Sequence, residues 1–444
     1  MGANNAAHTE SIIQMLDQRI GEVSGEFNAQ GVASTLWAYA TMVMRSGAKV
    51  IKPSAKVMKG LEGRVSEISG IFKAPEISNT LLAYAIMRMK PRARAMEGLE
   101  LRVGEISGQF KAQDVANTLK AYAIMGIKPG ARAMQGLEGR VEEISEQFNA
   151  QDIASTLWAY ATLGIKPGAR AMQSLEERVG EISGQFNAQN VASTLWAYAA
   201  LGRQPGVKVM AGLGRRVGKT SAEFKASDVA NTLWSTCSLL MYSPDVACRL
   251  VNALHHRIQA LIAGGTKWNN EELCQLHQVL VAFRVQRGPS NGVPESIEML
   301  QEVCGEECKT AFLALTARPS ALQEHVSKTL RDMGCLVHES FRCPQTSYSI
   351  DMLVRTNVPV ISGGDIMTGG EGGNSTKGGV DFAVEFDGLS RFLACGASTG
   401  YTLIKRRHLG LAGHTLVSVS DCEWKTQTTT EQKEQFLRSK LNLH

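Results

Sequence analysis

A ten-residue phrase, F-[NK]-A-x-x-[VI]-[AS]-[SN]-T-L, recurs from Phe27, Phe72, Phe110, Phe148, Phe186 and Phe224. From Phe72 onward the step is always 38 residues; the first is 45, seven longer, with an insertion at Val43 to Lys49. A degenerate copy starts at Trp268, and half a copy precedes Phe27. A fixed period of this length marks an array of stacked units and constrains the fold more than any bulk property.

Each unit reads as two helices. In the fourth copy Ile153, Leu157, Tyr160 and Ala161 share one face at helical spacing. Asn149 is the predicted cap, with Asp152 in the first turn facing the positive helix end. Gly164 ends this helix and Pro167 opens the next. In the second helix Met172, Leu175, Val179, Ile182 and Phe186 step by 3, 4, 3, 4 and form an apolar stripe. One pair cannot cover its own stripe, so the pairs stack into an all-α solenoid, expected over residues 8–285.

Solenoids present long surfaces, and three series are candidates for ligand contact. The fourth residue after each Phe (Gly31, Glu76, Asp114, Asp152, Asn190, Asp228) and the seventh (Ser34, Asn79, Asn117, Ser155, Ser193, Asn231) point away from the apolar face. Small alanines one turn on, Ala38, Ala83, Ala121, Ala159 and Ala197, leave room for a close approach. Short polar side chains that vary between near-identical units suit base-edge reading, or equally helix capping. The tenth place holds Trp37, Leu82, Lys120, Trp158, Trp196 and Trp234, open to base stacking or to packing between repeats. On the second helix, Lys56, Arg94, Arg132, Arg170, Lys208 and Arg249 form a basic column with no acid four residues later. A flanking column, Arg19, Arg64, Arg102, Arg140, Arg178, Arg216 and Arg257, reads as a phosphate-binding stripe or as inter-repeat ion pairs with glutamate.

The repeat gives way at Gln286 to Ser296 to a Gly/Pro/Ser linker; residues 286–319 read as this linker and a helix. Residues 320–444 alternate helices with the strands "SIDMLV", "VDFAVEFDG" and "HTLVSVS", a small α/β domain. It carries a Gly-rich insertion at 363–379 whose Lys377 follows Ser375 and Thr376, so it is no P-loop. Asp351, Glu385 and Asp387 stand on strands, the last two on one side of β alternation, and Lys405 starts a basic helix. Carboxylates so placed, Asp351 and Glu385 first, could hold Mg²⁺, with Lys405 supporting phosphodiester cleavage; a purely structural role is the other reading.

Composition fits a folded chain: 44% hydrophobic and 20% charged. The net charge of +5 permits a polyanion partner. Nine scattered cysteines form no paired motif and suggest reduced thiols. No membrane partner is expected, since no apolar run reaches the ~18 residues of a span. The start "MGANNAAHTE" shows no transit or signal character.

The 38-residue unit with "LWAYA-x-x-G-x-x-P" resembles the octotricopeptide repeats of algal organelle RNA-binding proteins, over residues 10 to 285. The run "IDMLV … VDFAVEFDG … RF … IKRRHL … LVSVS … EW … FLRSKL" resembles a RAP domain. Such domains end octotricopeptide-repeat and FAST-kinase-like mitochondrial proteins and are similar to the PD-(D/E)xK nuclease fold. The resemblance implies a single-stranded RNA partner, mRNA or rRNA, with other RNA-processing proteins, in a mitochondrion or chloroplast. The implied work is RNA processing, stability or translation. The alternatives are a Mg²⁺-dependent endoribonuclease guided by the repeats and a protein-interaction scaffold. Asp351, Glu385, Asp387 and Lys405 fall on the family's acidic and basic positions. The sequence departs at Leu389-Ser390-Arg391-Phe392, where the family has Pro-x-His-Phe, and at Asp387, where many such nucleases have Lys. RNA binding by this domain would use Arg391, Lys405, Arg406 and Arg407.

Overall fold

In a computed structural model the described residues are 2–45, 53–287, 292–315, 320–356, 381–387, 393 and 398–443. The insertion at 363–379, Arg391 and most of the Val43–Lys49 insertion lie outside them. The chain divides into two compact units, Met1–Tyr198 with Pro205–Lys219 and Ala199–Gln204 with Thr220–His444. The division falls among the repeats and not at 285/286.

The first unit is a stack of helix pairs. α1 (Gly2–Val23) is the half-copy, followed by α2 (Ala29–Arg45), α3 (Ala55–Ile68), α4 (Ala74–Ile86), α5 (Ala93–Ile106), α6 (Ala112–Met125), α7 (Ala131–Ile144), α8 (Ala150–Leu163), α9 (Ala169–Ile182), α10 (Ala188–Ala200) and α11 (Val207–Thr220), of which Ala199, Ala200 and Thr220 fall to the second unit. The first helices α2, α4, α6 and α8 pack side by side as one layer, and α1, α3, α5, α7 and α9 as the other. Phe72, Phe110, Phe148 and Phe186 are fully buried, as are Tyr84, Tyr122 and Tyr160. Asn149 caps α8 as expected, accepting from Gln151 and Asp152 N–H at 2.8 and 3.0 Å. Gly126 and Gly164 end α6 and α8 in the left-handed region, φ +63° and +64°.

Two polar devices recur from repeat to repeat. Arg64, Arg102, Arg140 and Arg178 each donate Nε–H to the carbonyl of the Phe that opens their own copy, Phe27, Phe72, Phe110 and Phe148, at 2.6–3.1 Å. Arg216 does the same to Phe186. The first four also pair with Glu67, Glu105, Glu143 and Glu181 one turn on. The flanking arginines are therefore backbone clamps; the glutamate partner sits on the same helix and not on a neighbouring one. Asp17, Glu62 and Glu138 accept the N–H of Ser54, Arg92 and Gly168, where the next second helix begins, at 2.9–3.3 Å. These bonds satisfy backbone donors that a helix start leaves open.

The second unit opens with α12 (Ala226–Tyr242), α13 (Pro244–Ala253), α14 (His255–Ala263), α15 (Asn270–Arg287) and α16 (Glu295–Leu313). The second helix of the sixth copy is thus broken at Leu254, between α13 and α14. The α/β part follows as α17 (Ala321–Asp332), β1 (Leu336–Arg342), β2 (Ser349–Arg355), β3 (Asp381–Asp387), α18 (Gly400–Leu411), β4 (Thr415–Ser420), α19 (Asp421–Thr426) and α20 (Thr430–Lys440). The sheet order is β1-β2-β3-β4, antiparallel up to β3 and parallel between β3 and β4, with α18 in the crossover. One sheet face buries Met352, Val354, Phe382, Val384 and Phe386 against Trp424, Leu330 and Leu437. A second cluster gathers Ile350 and Ala383 with Leu409, Phe312 and Val281.

A buried polar chain ties α12 and α15 to this sheet. Trp234 Nε1–H donates to Gln278 Oε1 at 2.6 Å, and Gln278 Nε2–H donates to the Tyr348 hydroxyl at 3.1 Å. That hydroxyl lies 3.2 Å from His408 Nδ1, whose Nε2 faces the Gln286 amide nitrogen at 3.2 Å. Arg407 donates to the other end of that amide at 3.3 Å, which orients it. Trp234 also packs against Tyr401, ring centres 4.3 Å apart and planes tilted by 34°.

Candidate nucleic-acid interface

The second helices of the first unit begin unusually. Lys56, Arg94, Arg132, Arg170 and Lys208 are each the second residue of α3, α5, α7, α9 and α11. None of these helices has an acid in its first turn. The N-terminus of a helix is its positive end, so a cation there is unfavourable by about 0.3–1 kcal/mol. All five side chains are exposed. The stems of Lys56, Arg132 and Lys208 run along the preceding second helix at Gly21, Gly104 and Gly180.

A second cation per repeat, which the sequence reading did not single out, adds to this edge. Lys90, Lys128 and Lys166 lie exposed in the turns four residues before Arg94, Arg132 and Arg170. Their signal was the repeated K-P-x-x-R spacing. Among the described residues no carboxylate lies within ion-pair distance of any of these cations. In the second repeat the left-handed turn position held by Gly126 and Gly164 is Arg88, φ +54°. A non-glycine residue costs about 1–2 kcal/mol there, and here the residue that bears it is one more cation. Helix dipoles, unpaired side chains and a strained arginine concentrate positive potential along one edge of the stack, which suits a row of phosphates. Arg249 does not extend the series. It is exposed, but the break at Leu254 places it sixth in α13, whose first turn holds Asp245.

The first-helix candidates divide. Asn117, Ser155 and Ser193 are half-buried, as are Lys120, Trp158 and Trp196 at the tenth place. Together they line one face of α6, α8 and α10 at i, i+3 spacing. Burial holds the Lys120 ammonium below the usual lysine range. The fourth-place acids do not belong to this face. Asp114, Asp152 and Asp228 are buried, and each carboxylate folds back onto its own helix start, accepting the N–H of Lys111, Asn149 and Lys225 at 3.0–3.3 Å. Asp114 also accepts from Ser78 of the preceding repeat at 3.0 Å. These three are capping acids covered by stacking, and the expectation that they read bases is corrected. Asn190 is half-buried, its N–H capped by Asn187 at 2.8 Å. The alanine gap is closed as well, since Ala83, Ala121, Ala159 and Ala197 are buried and only Ala38 of that series is exposed. In the second unit Asn231 accepts from Gln275 at 2.9 Å and Trp234 is fully buried, so the sixth copy does not share these half-buried positions.

The C-terminal carboxylates come together but are already engaged. Alternation along β3 puts Glu385 and Asp387 on the face covered by α18. Lys405 pairs with Glu385 at 2.5 Å, and Asp387 pairs with Arg406 and Ser418. Both carboxylates are buried. The β2–β3 ladder stops at Met352↔Val384, and the Asp351 carboxylate takes the next donor, Phe386 N–H, at 2.9 Å. Among the described residues no three His, Cys, Asp or Glu side chains gather as metal ligands. As placed, Asp351 and Glu385 do not offer a divalent-cation site, and no hydrolytic step follows from Asp351, Glu385, Asp387 and Lys405. Arg406 is held by Asp387, Ser418 and Ser398, so the phosphate-contact reading fails for it. Arg407 is exposed and also positions Gln286.

Residues 40–178 match the family described as RNA-editing substrate-binding complex 6 protein. Residues 384–440 match the RAP domain. Residues 183–195 match a family described as a protein of unknown function, DUF1601. No curated protein matches the chain at a significant level. The chain therefore combines helical repeats with a C-terminal RAP domain, and both larger matches point to RNA binding. Among the described residues no helix is long and apolar enough to cross a membrane.

Proposed function

We propose that the protein binds single-stranded RNA along the first unit, phosphates on the basic edge and bases against the half-buried face of α6, α8 and α10. The observation that carries this reading is the row Lys56, Arg94, Arg132, Arg170 and Lys208, placed against the helix dipole with no carboxylate within ion-pair distance among the described residues. A scaffold for acidic-balanced protein contacts would have those charges paired. Trp158 and Trp196 supply stacking surface, worth ~1–3 kcal/mol per base. Asn117, Ser155 and Ser193 are the side chains left to discriminate bases. The work this binding serves is RNA processing, stability or translation, in a mitochondrion or chloroplast, together with protein partners; the octotricopeptide-like unit and the RAP domain support that setting. A tagged chain that stays out of both organelles would remove the organelle assignment alone.

The test is titration of the full chain against a single-stranded RNA pool at two salt concentrations. Replacing Arg94, Arg132, Arg170 and Lys208 by alanine removes four cations. At about 0.7 counterions per neutralised phosphate, the log–log salt slope should fall by about 3. An unchanged slope would show that the edge does not hold the RNA.

A further inference from the structure

The tenth place of the third copy breaks the pattern of its neighbours. Where the other clear copies carry tryptophan or leucine, this one carries Lys120. Lys120 lies along α6, between α4 and α8 in the same layer, whose equivalent places hold buried Leu82 and half-buried Trp158. An ammonium placed there loses part of its water, and burial holds it below the usual lysine range. Among the described residues no hydrogen bond or ion pair meets it. The tryptophan of the flanking copies would fill the place without that cost. As packing, Lys120 is a poor choice; as a hydrogen-bond donor, it is available.

The residues beside it fit a nucleobase. Asn117 stands one turn before Lys120 and Ile124 one turn after, at i, i+3 and i+7 on one helix face. Asn117 is half-buried, and its amide both donates and accepts. Ile124 is 42% exposed and offers apolar surface in a copy that lacks the ring. The basic edge is already supplied in this copy by the exposed Lys128 and Arg132. α6 continues past Lys120 to Met125, about 8 Å of helix rise, which sets the ammonium back from that edge.

We infer that Lys120 and Asn117 select guanine at the third copy, a refinement that rests on the RNA reading above. An ammonium donates and cannot accept, and guanine presents two adjacent acceptors, O6 and N7. Adenine sets an amino group beside N7, cytosine presents an amino group on that side, and uracil a single acceptor. With Lys120 on O6 and N7, the Asn117 side-chain oxygen can accept the guanine N1–H. The fourth and fifth copies pair Trp158 with Ser155 and Trp196 with Ser193. They favour stacking, which every base supplies, so the third copy is the more selective.

The test is selection of single-stranded RNAs from a random pool by the full chain, followed by titration of the selected RNA. The inference predicts one guanine fixed by wild type. Changing it to adenine should weaken binding about tenfold. Changing it to 7-deazaguanine, which lacks the N7 acceptor, should weaken binding by a smaller factor. Lys120→Met should erase both differences and leave the salt slope unchanged. Lys120→Trp, which installs the neighbours' residue, should still bind RNA but without a base preference at that position. If wild type binds in a salt-dependent way but fixes no guanine, or if Lys120→Met and Lys120→Trp keep the preference, this inference fails while the RNA reading stands. It also fails if Lys120→Met weakens all RNAs alike and lowers the log–log salt slope by about 0.7, since the ammonium then meets a phosphate. A chain with no affinity for the pool removes both.

Discussion

The two compact units solve stability in opposite ways. The first repeats one solution: the same buried Phe and Tyr, an arginine clamp to a carbonyl 30 residues back, and capping acids. Each contact joins neighbours in the stack, so local changes stay local. The second uses contacts made once. Its buried chain from Trp234 through Gln278, Tyr348 and His408 to Gln286 joins residues up to 122 apart in sequence. Every histidine but His8 lies in it. Repetition gives the first unit a basic edge with no carboxylate within ion-pair distance among the described residues, whereas in the second Lys405 and Arg406 of α18 are paired with the buried Glu385 and Asp387.

The sharpest way to break this contrast is at Gly400. A Cβ there would lie 1.7 Å from the Ala199 carbonyl oxygen, within the same unit. Backbone cannot yield that distance cheaply, so Gly400→Ala should destabilise the second unit by more than about 4 kcal/mol. Differential scanning calorimetry should show one transition lost or shifted and the first unit's preserved. A uniform shift of all melting would mean that the units are not separately stable.

Acid should separate them next. Burial pushes the His408 imidazole down to about 3, with Arg407 and His277 adding to the effect. It pushes His277 down to about 4, against the favourable bond to the Thr346 carbonyl. Both rings stay neutral in the fold while their unfolded forms protonate near pH 6.5. The unfolded state then binds more protons, so stability falls as pH drops from about 6.5 toward 4. Two groups at about 1.4 kcal/mol per pH unit give up to about 4 kcal/mol by pH 5, confined to the second unit. Equal loss in both units, followed by tryptophan fluorescence against pH, would contradict this.

The smallest effect sharpens the first unit. Thr80, Thr118, Thr156 and Thr194 recur as fully buried hydroxyls without a hydrogen-bond partner among the described residues. Thr156→Val removes an unsatisfied polar atom at constant shape and should stabilise by about 1 kcal/mol. A loss of stability in chemical denaturation would mean that the hydroxyl is in fact satisfied.

What the sequence made legible follows the same divide. Periodicity located the helix pairs, the Asn149 cap and the Gly164 stop, because each depends on residues a few positions apart. It left Asp114, Asp152 and Asp228 between base reading and capping, since helix spacing says which face a residue takes but not that its carboxylate turns back onto its own helix start. It missed Lys90, Lys128 and Lys166, although their spacing repeats as plainly as any. In the second unit β2, β3 and β4 were readable, whereas β1 was not foreseen. Nothing local to Lys405 or Arg406 announced their partners on β3, and no pattern near Trp234 pointed to Tyr401.

Ultraviolet cross-linking of the full chain to single-stranded RNA, with the cross-linked peptides identified by mass spectrometry, tests the central claim most directly. The account predicts adducts on the first unit, around Lys90–Arg94, Lys128–Arg132 and Lys166–Arg170 and at Trp158 and Trp196. Adducts confined to the second unit, with the basic edge unmodified, would contradict it.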